Sequence, residues 1–220
     1  MNETKITAKI YEPLLYGFNK QLTSLHLKRD SFVNAMIKSE IKHLAKDVKG
    51  KKLSIKAKRY ISGELKRMGT VTVNIVVDKE TADSLSVVVE NSNIVRDAFL
   101  NRLIMLLRAS DALLKTLGLP ISCRDLDSSF EAMPNSPLKA IESIMSDPLY
   151  YLREACEDKY ELGLYSILLP KKLHGFSCYI EDENVPGTVE FEKMQKMGDE
   201  LLLQLESLEA GLDEETQGDK

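Results

Sequence analysis

The sequence predicts a mostly helical chain with a short antiparallel β-ribbon, built from a strand–helix–helix unit that occurs twice and is followed by an α+β C-terminal region. Three observations carry this prediction. The stretches "KRDSFVNAMI" (28–37) and "VRDAFLNRLI" (95–104) share Arg29/Arg96, Asp30/Asp97, Phe32/Phe99, Asn34/Asn101 and Ile37/Ile104 in one register. The same offset lays "KITAKI" (5–10) over "TVNIVV" (72–77), and both alternate apolar and polar residues. A helical apolar pattern separates strand from decapeptide in each copy. Self-similarity at a fixed offset marks a structural repeat, and period-two alternation marks a half-buried strand.

In the first copy, residues 1–46, the strand turns Ile6, Ala8 and Ile10 to one face and Lys5, Thr7 and Lys9 to the other. Leu14, Leu15, Phe18, Leu22 and Leu25 then recur near the helical period, with Pro13 tolerated in the first turn. The polar break "HLKRD" precedes a second helix carrying Phe32, Val33, Met36, Ile37 and Ile41. Residues 47–69 form a basic linker in which Ser54 to Met68 predicts a short helix with Ile55, Tyr60, Ile61 and Leu65. The second copy, 70–119, aligns Val73, Ile75 and Val77 inward and Thr72, Asn74 and Val76 outward. Asp78 is the expected N-cap of its first helix, with Ala82, Leu85, Val88 and Val89 on the apolar side. After "NSN", its second helix carries Phe99, Leu100, Leu103, Ile104 and Leu107.

The acidic α+β region spans 120–209. Ser136-Pro137 and Asp147-Pro148 predict helix starts over 138–146 and 149–160. Residues 164–170 and 175–182 read as two strands joined by "KKLH", and a helix with Met194, Met197, Leu201, Leu202, Leu205 and Leu208 follows Pro186-Gly187. Residues 210–220 read as a disordered tail.

Charge is polarised along the chain. Residues 1–68 hold 16 Lys/Arg against 6 Asp/Glu, whereas residues 120–220 hold 9 against 22. A basic front suits a polyanionic partner. The opening residues lack the apolar run of a signal peptide, and no stretch reaches the roughly 20 apolar residues of a membrane span. The three cysteines, Cys123, Cys156 and Cys178, have no CxxC spacing and read as reduced thiols of a cytoplasmic protein. His174 and Cys178 stand four apart without a third partner in sequence, and no phosphate-binding Gly loop or metal-ligand spacing occurs, so neither an enzyme nor a cofactor is expected.

A single strand with two helices leaves both strand edges open and buries too little apolar surface, so the copies are expected to pair. Residues 4–45 and 70–110 resemble the ribbon-helix-helix DNA-binding family: a polar-alternating strand, two helices, and a second helix opening on Arg-Asp. The resemblance implies that the paired strands enter the major groove of double-stranded DNA. Lys5, Thr7, Lys9, Thr72 and Asn74 would then read base edges, and Val76 would touch a thymine methyl. It further implies phosphate contacts at the start of the second helix, from Lys28, Arg29, Asn93 and Arg96. Lys51 and Lys52 in the basic linker are further phosphate candidates. The first copy departs from the family in reading Leu25-His26-Leu27 where Gly and Ser/Thr are common. Arg29 and Arg96 also admit a structural role, pairing with a neighbouring carboxylate.

The expected function is that of a sequence-specific DNA-binding regulator or repressor. The alternative is an antitoxin-like or phage-defence interaction protein whose region 120–209 holds a protein partner. Homo-oligomerisation is open on either reading, and no membrane partner is expected.

Overall fold

The computed structural model describes residues 2–119 and 147–202. Residues up to Ile180 form one compact unit and those from Glu181 a second. The predicted helix 138–146, Leu205, Leu208 and the tail 210–220 lie outside the described residues.

The repeat appears as two successive strand–helix–helix segments. Strand β1 (Glu3–Tyr11) leads into α1 (Glu12–Ser24) and α2 (Arg29–Asp47); β2 (Thr70–Asp78) leads into α4 (Lys79–Asn91) and α5 (Arg96–Leu107). Between them lies α3 (Ile55–Arg67), whose N-cap Ser54 accepts a hydrogen bond from the Ala57 N–H at 3.0 Å. The turns joining the helix pairs match as well. His26 and Asn93, equivalent in the repeat, both adopt left-handed backbone with φ of 55° and 54°. Asp78 sits at the N-cap of α4, but its carboxylate caps nothing there and instead accepts from the Asn34 amide at 2.9 Å.

β1 and β2 form a two-stranded antiparallel sheet. Its register pairs Lys5 with Val76, Thr7 with Asn74 and Lys9 with Thr72. Thr7 and Asn74 are repeat equivalents, so an approximate two-fold axis passes between them. Ile6, Ala8, Ile10, Ile75 and Val77 are buried on the inner face, and Val73 is half-buried. Beneath them pack Phe18 and Phe32, with ring centroids 6.1 Å apart, and Ile37, Leu85, Phe99 and Leu103. Alternation in the sequence therefore maps directly onto burial.

The two second helices differ. α2 is amphipathic, but α5 is buried on every face from Ala98 to Leu106. Its cover comes from residues 147–180, which belong to the same unit. α6 (Asp111–Thr116) is capped by Ser110, and α7 (Tyr150–Tyr160) lies close to the expected helix 149–160.

The two strands expected over 164–170 and 175–182 do not form. Residues 163–170 make turns and extended chain, and Lys171–Phe176 is a 3-10 helix. The physical reason is burial on both sides of the chain. Leu164, Tyr165, Ser166 and Ile167 are buried in succession, as are His174, Gly175, Phe176, Ser177 and Cys178, which a one-faced hairpin does not achieve. Polar side chains of the helices take the backbone groups a ladder would have satisfied: Tyr165 N–H donates to Asp47 at 2.9 Å, and Arg102 donates to the Ile167 carbonyl at 3.1 Å.

This cover is anchored by a buried ionic group. Arg153 Nη1 donates to both oxygens of Glu40, at 2.9 and 3.1 Å, and Nη2 bonds Asp147. The Tyr165 hydroxyl donates to Glu40 at 2.7 Å, and burial pushes its pKa well above the ordinary value. Removing one member would strand a charge, which is costly.

In the second unit, Thr188 Oγ1 accepts from the Phe191 N–H at 3.1 Å and caps a helix running from residue 189 through 202. The expected apolar stripe is exposed within the described residues: Met194, Met197, Leu201 and Leu202 are each half or more accessible. Among the described residues, no helix is long and apolar enough to cross a membrane.

Candidate nucleic-acid interface

Side chains alternate across a strand, so burying Ile6, Ala8 and Ile10 drives Lys5, Thr7 and Lys9 outward. All three are exposed, as are Thr72 and Asn74, while Val76 is half-buried. The five base-reading candidates thus lie together on one solvent face of the ribbon. At its centre Thr7 Oγ1 donates to Asn74 Oδ1 at 2.9 Å, which orients the Asn74 amide and leaves its N–H groups for another acceptor. The three central pairs bear two lysines and no carboxylate. The Glu3–Asp78 pair places two carboxylates at one ribbon end.

A two-stranded ribbon still has two open edges, and the repeated Arg-Asp-x-Phe-x-Asn segment closes them. Each second helix caps the strand of the other copy. From α2, Arg29 donates to the Asn74 carbonyl (2.9 Å), Asp30 accepts from Val76 N–H (3.1 Å), and Asn34 accepts from Asp78 N–H (3.0 Å). From α5, Arg96 donates to the Thr7 carbonyl (2.5 Å), Asp97 accepts from Lys9 N–H (3.2 Å), and Asn101 accepts from Tyr11 N–H (2.8 Å). Every bond has its repeat equivalent. Asn101 adds a bond to the Lys9 carbonyl at 2.9 Å.

The phosphate candidates therefore divide. Arg29 and Arg96 are bound to ribbon backbone, and each guanidinium also meets its neighbouring carboxylate: Arg29–Asp30 at 2.7 Å and Arg96–Asp97 at 3.6 Å. Both remain about a third exposed, at 33% and 39%. Arg96 borders an open cleft of ≈ 520 Å³ beside β1 that also gathers Lys5 and Lys79, with Glu3 and Asp83 opposing them. Lys28 is exposed at the start of α2. Asn93 is occupied: its Oδ1 accepts from Lys58 at 2.8 Å and its Nδ2 donates to the Leu53 carbonyl at 2.9 Å, tying the linker over the α4–α5 turn. Lys51 lies 5.2 Å from the Tyr179 ring centroid, a cation–π contact. Lys52 is exposed.

His174 and Cys178 do not converge on a reaction centre. His174 Nδ1 bonds the Tyr60 hydroxyl at 2.9 Å, and burial lowers its pKa. Cys178 is fully buried, and that burial pushes its thiol up to about 12. Among the described residues, no group of three or more His, Cys, Asp or Glu could hold a metal ion.

Sequence reasoning missed Glu40, Arg102, Arg153 and Tyr165. A signal existed for Arg102: it stands in the middle of a helix apolar on all sides, a pattern that demands burial.

Comparison with family models, curated proteins and solved structures returned no match to this chain.

Proposed function

We propose that this chain binds double-stranded DNA sequence-specifically through the outer face of the β1–β2 ribbon and acts as a transcriptional regulator by occupying its site. The observation that carries this reading is the pairing register. It gathers Lys5, Thr7, Lys9, Thr72 and Asn74 on one exposed surface whose opposite side is core. A two-stranded ribbon fits the major groove, where lysine donates to guanine O6 or N7 and an asparagine amide addresses adenine. The ribbon-helix-helix resemblance draws support from two strand–helix–helix segments whose strands pair about equivalent residues. Lys28 and Lys52 serve as phosphate contacts, joined by whatever N–H groups Arg29 and Arg96 do not spend on the ribbon.

The outward residues differ between copies, Lys5 from Thr72, Thr7 from Asn74 and Lys9 from Val76. The preferred DNA site is therefore asymmetric. In a gel-shift titration, Lys5→Ala/Thr7→Ala/Lys9→Ala should lose discrimination between a selected site and random duplex, at about 1–3 kcal/mol per good base contact. Unchanged discrimination would refute the assignment.

A second reading, an antitoxin-like or phage-defence interaction protein, is favoured by the exposed Met194, Met197, Leu201 and Leu202. It predicts a stoichiometric protein partner that Met197→Glu/Leu201→Glu releases.

A further inference from the structure

The face of α3 turned away from the core is basic. Ala57, Ile61 and Leu65 are its buried positions. At about 100° per residue, Lys56, Arg59 and Lys66 fall within about 40° of the direction opposite Ile61. All three are exposed, and Arg67 is exposed beside them. Glu64, the helix's lone carboxylate, lies off this face and pairs with Arg67 at 2.6 Å.

The stripe is rigidly placed at one end of the ribbon. After Met68, Gly69 leads straight into β2, and its carbonyl accepts from the Glu12 N–H at 3.2 Å, locking the end of α3 to the end of β1. The other end of α3 is held to the α4–α5 turn by Asn93. From behind, the 3-10 helix Lys171–Phe176 braces it. Tyr60 bonds His174, and Gly175 packs so close that a Cβ there would lie 2.7 Å from Leu65 N. The region 147–180 thereby adds a third support to a helix already fixed at both ends.

We infer that the exposed face of α3 is a second DNA contact, binding backbone phosphates beyond the Tyr11–Thr70 end of the ribbon. This rests on the ribbon reading and extends it. Charge is uneven along the ribbon. The Glu3–Asp78 end carries two carboxylates with Lys79 beside them, the middle carries Lys5 and Lys9, and past the Tyr11–Thr70 end, where Glu12 is the adjoining carboxylate, the chain of α3 presents Lys66, Arg59 and Lys56. The protected DNA therefore extends further to one side of the base-read segment than to the other.

The test compares two double variants of the full chain that remove equal charge: Arg59→Gln/Lys66→Gln on the stripe, and Lys38→Gln/Lys42→Gln on the exposed side of α2. Affinity for a short duplex of mixed fixed sequence is measured against salt. Each lost phosphate contact lowers the log–log slope by roughly 0.9, so the stripe variant should lose about 1.8 units. The α2 variant should keep the wild-type slope, and Lys5→Ala/Thr7→Ala/Lys9→Ala should lose discrimination whatever its slope. A wild-type slope in the stripe variant, or an equal drop in the α2 variant, overturns the inference while leaving the ribbon reading intact. Intact discrimination in the ribbon variant overturns that reading instead. Failure of the wild-type chain to bind any duplex overturns both.

Discussion

Replacing Asn101 by alanine should be among the costliest single changes in this fold. The side chain is fully buried and makes three hydrogen bonds: from Tyr11 N–H at 2.8 Å, to the Lys9 carbonyl at 2.9 Å, and to the Asp97 carbonyl at 2.7 Å. The first two satisfy the free edge of β1. The third is within α5, where the helix ladder already serves that carbonyl. Truncation leaves one donor and one acceptor of the strand without partners where water enters poorly, at about 1–3 kcal/mol each. A loss of about 3–4 kcal/mol follows. Asn34 is its repeat equivalent on β2, with bonds of 3.0 and 2.9 Å to Asp78, but it is only half-buried. Water can replace its amide, so Asn34→Ala should cost about 1 kcal/mol. Urea unfolding followed by circular dichroism measures both, with the m-value checking that the transition stays two-state. Equal losses at the two positions, or a loss under about 1 kcal/mol for Asn101→Ala, would refute the edge-capping account.

Two further predictions concern titratable groups in the region covering α5. Burial raises the Cys156 thiol to about 11 and Cys178 to about 12. Near pH 8, peptide-mapped alkylation should leave both unlabelled in the folded protein and label both in urea; labelling of either in the folded state would contradict their burial. His174 has a folded pKa below its ordinary 6.5, chiefly from burial, so the unfolded chain binds more protons and stability must rise with pH through the window just below 6.5. Thermal unfolding between about pH 7.5 and 5.5 should show midpoints falling on acidification, and His174→Gln should flatten that dependence.

The parts of this fold that were readable in sequence are those with a period. Ile6, Ala8 and Ile10 against Ile75 and Val77 alternate because one ribbon face is core, and the constant offset of the two copies foretold which strand pairs with which. The parts that were not readable depend on long-range partners. Leu164 to Ile180 looked like strands because buried apolar runs carry no period of their own, and only packing against α2, α3 and α5 decided for turns and a 3-10 helix. The ionic group of Glu40, Arg153 and Asp147 joins residues 113 positions apart in sequence for its principal pair, with no local trace.

The candidate site was half legible, and the copies themselves held the missing clue. Arg, Asp and Asn are identical between the decapeptides, whereas every outward strand residue differs. Identity at equivalent polar positions fits a shared structural duty, here the capping of opposite strand edges. Divergence fits positions that meet different surroundings outside the protein. Arg29 and Arg96 thus belong with the scaffold first, and under the proposed function Lys5, Thr7, Lys9, Thr72 and Asn74 would be the recognition residues.

Selection of bound duplexes from a random pool tests the central claim most directly. Ribbon recognition predicts enrichment of one short motif lacking two-fold symmetry, and loss of that enrichment when Lys5, Thr7 and Lys9 are replaced by alanine. A pool that emerges without a motif, or the same motif emerging with the substituted ribbon, would contradict it.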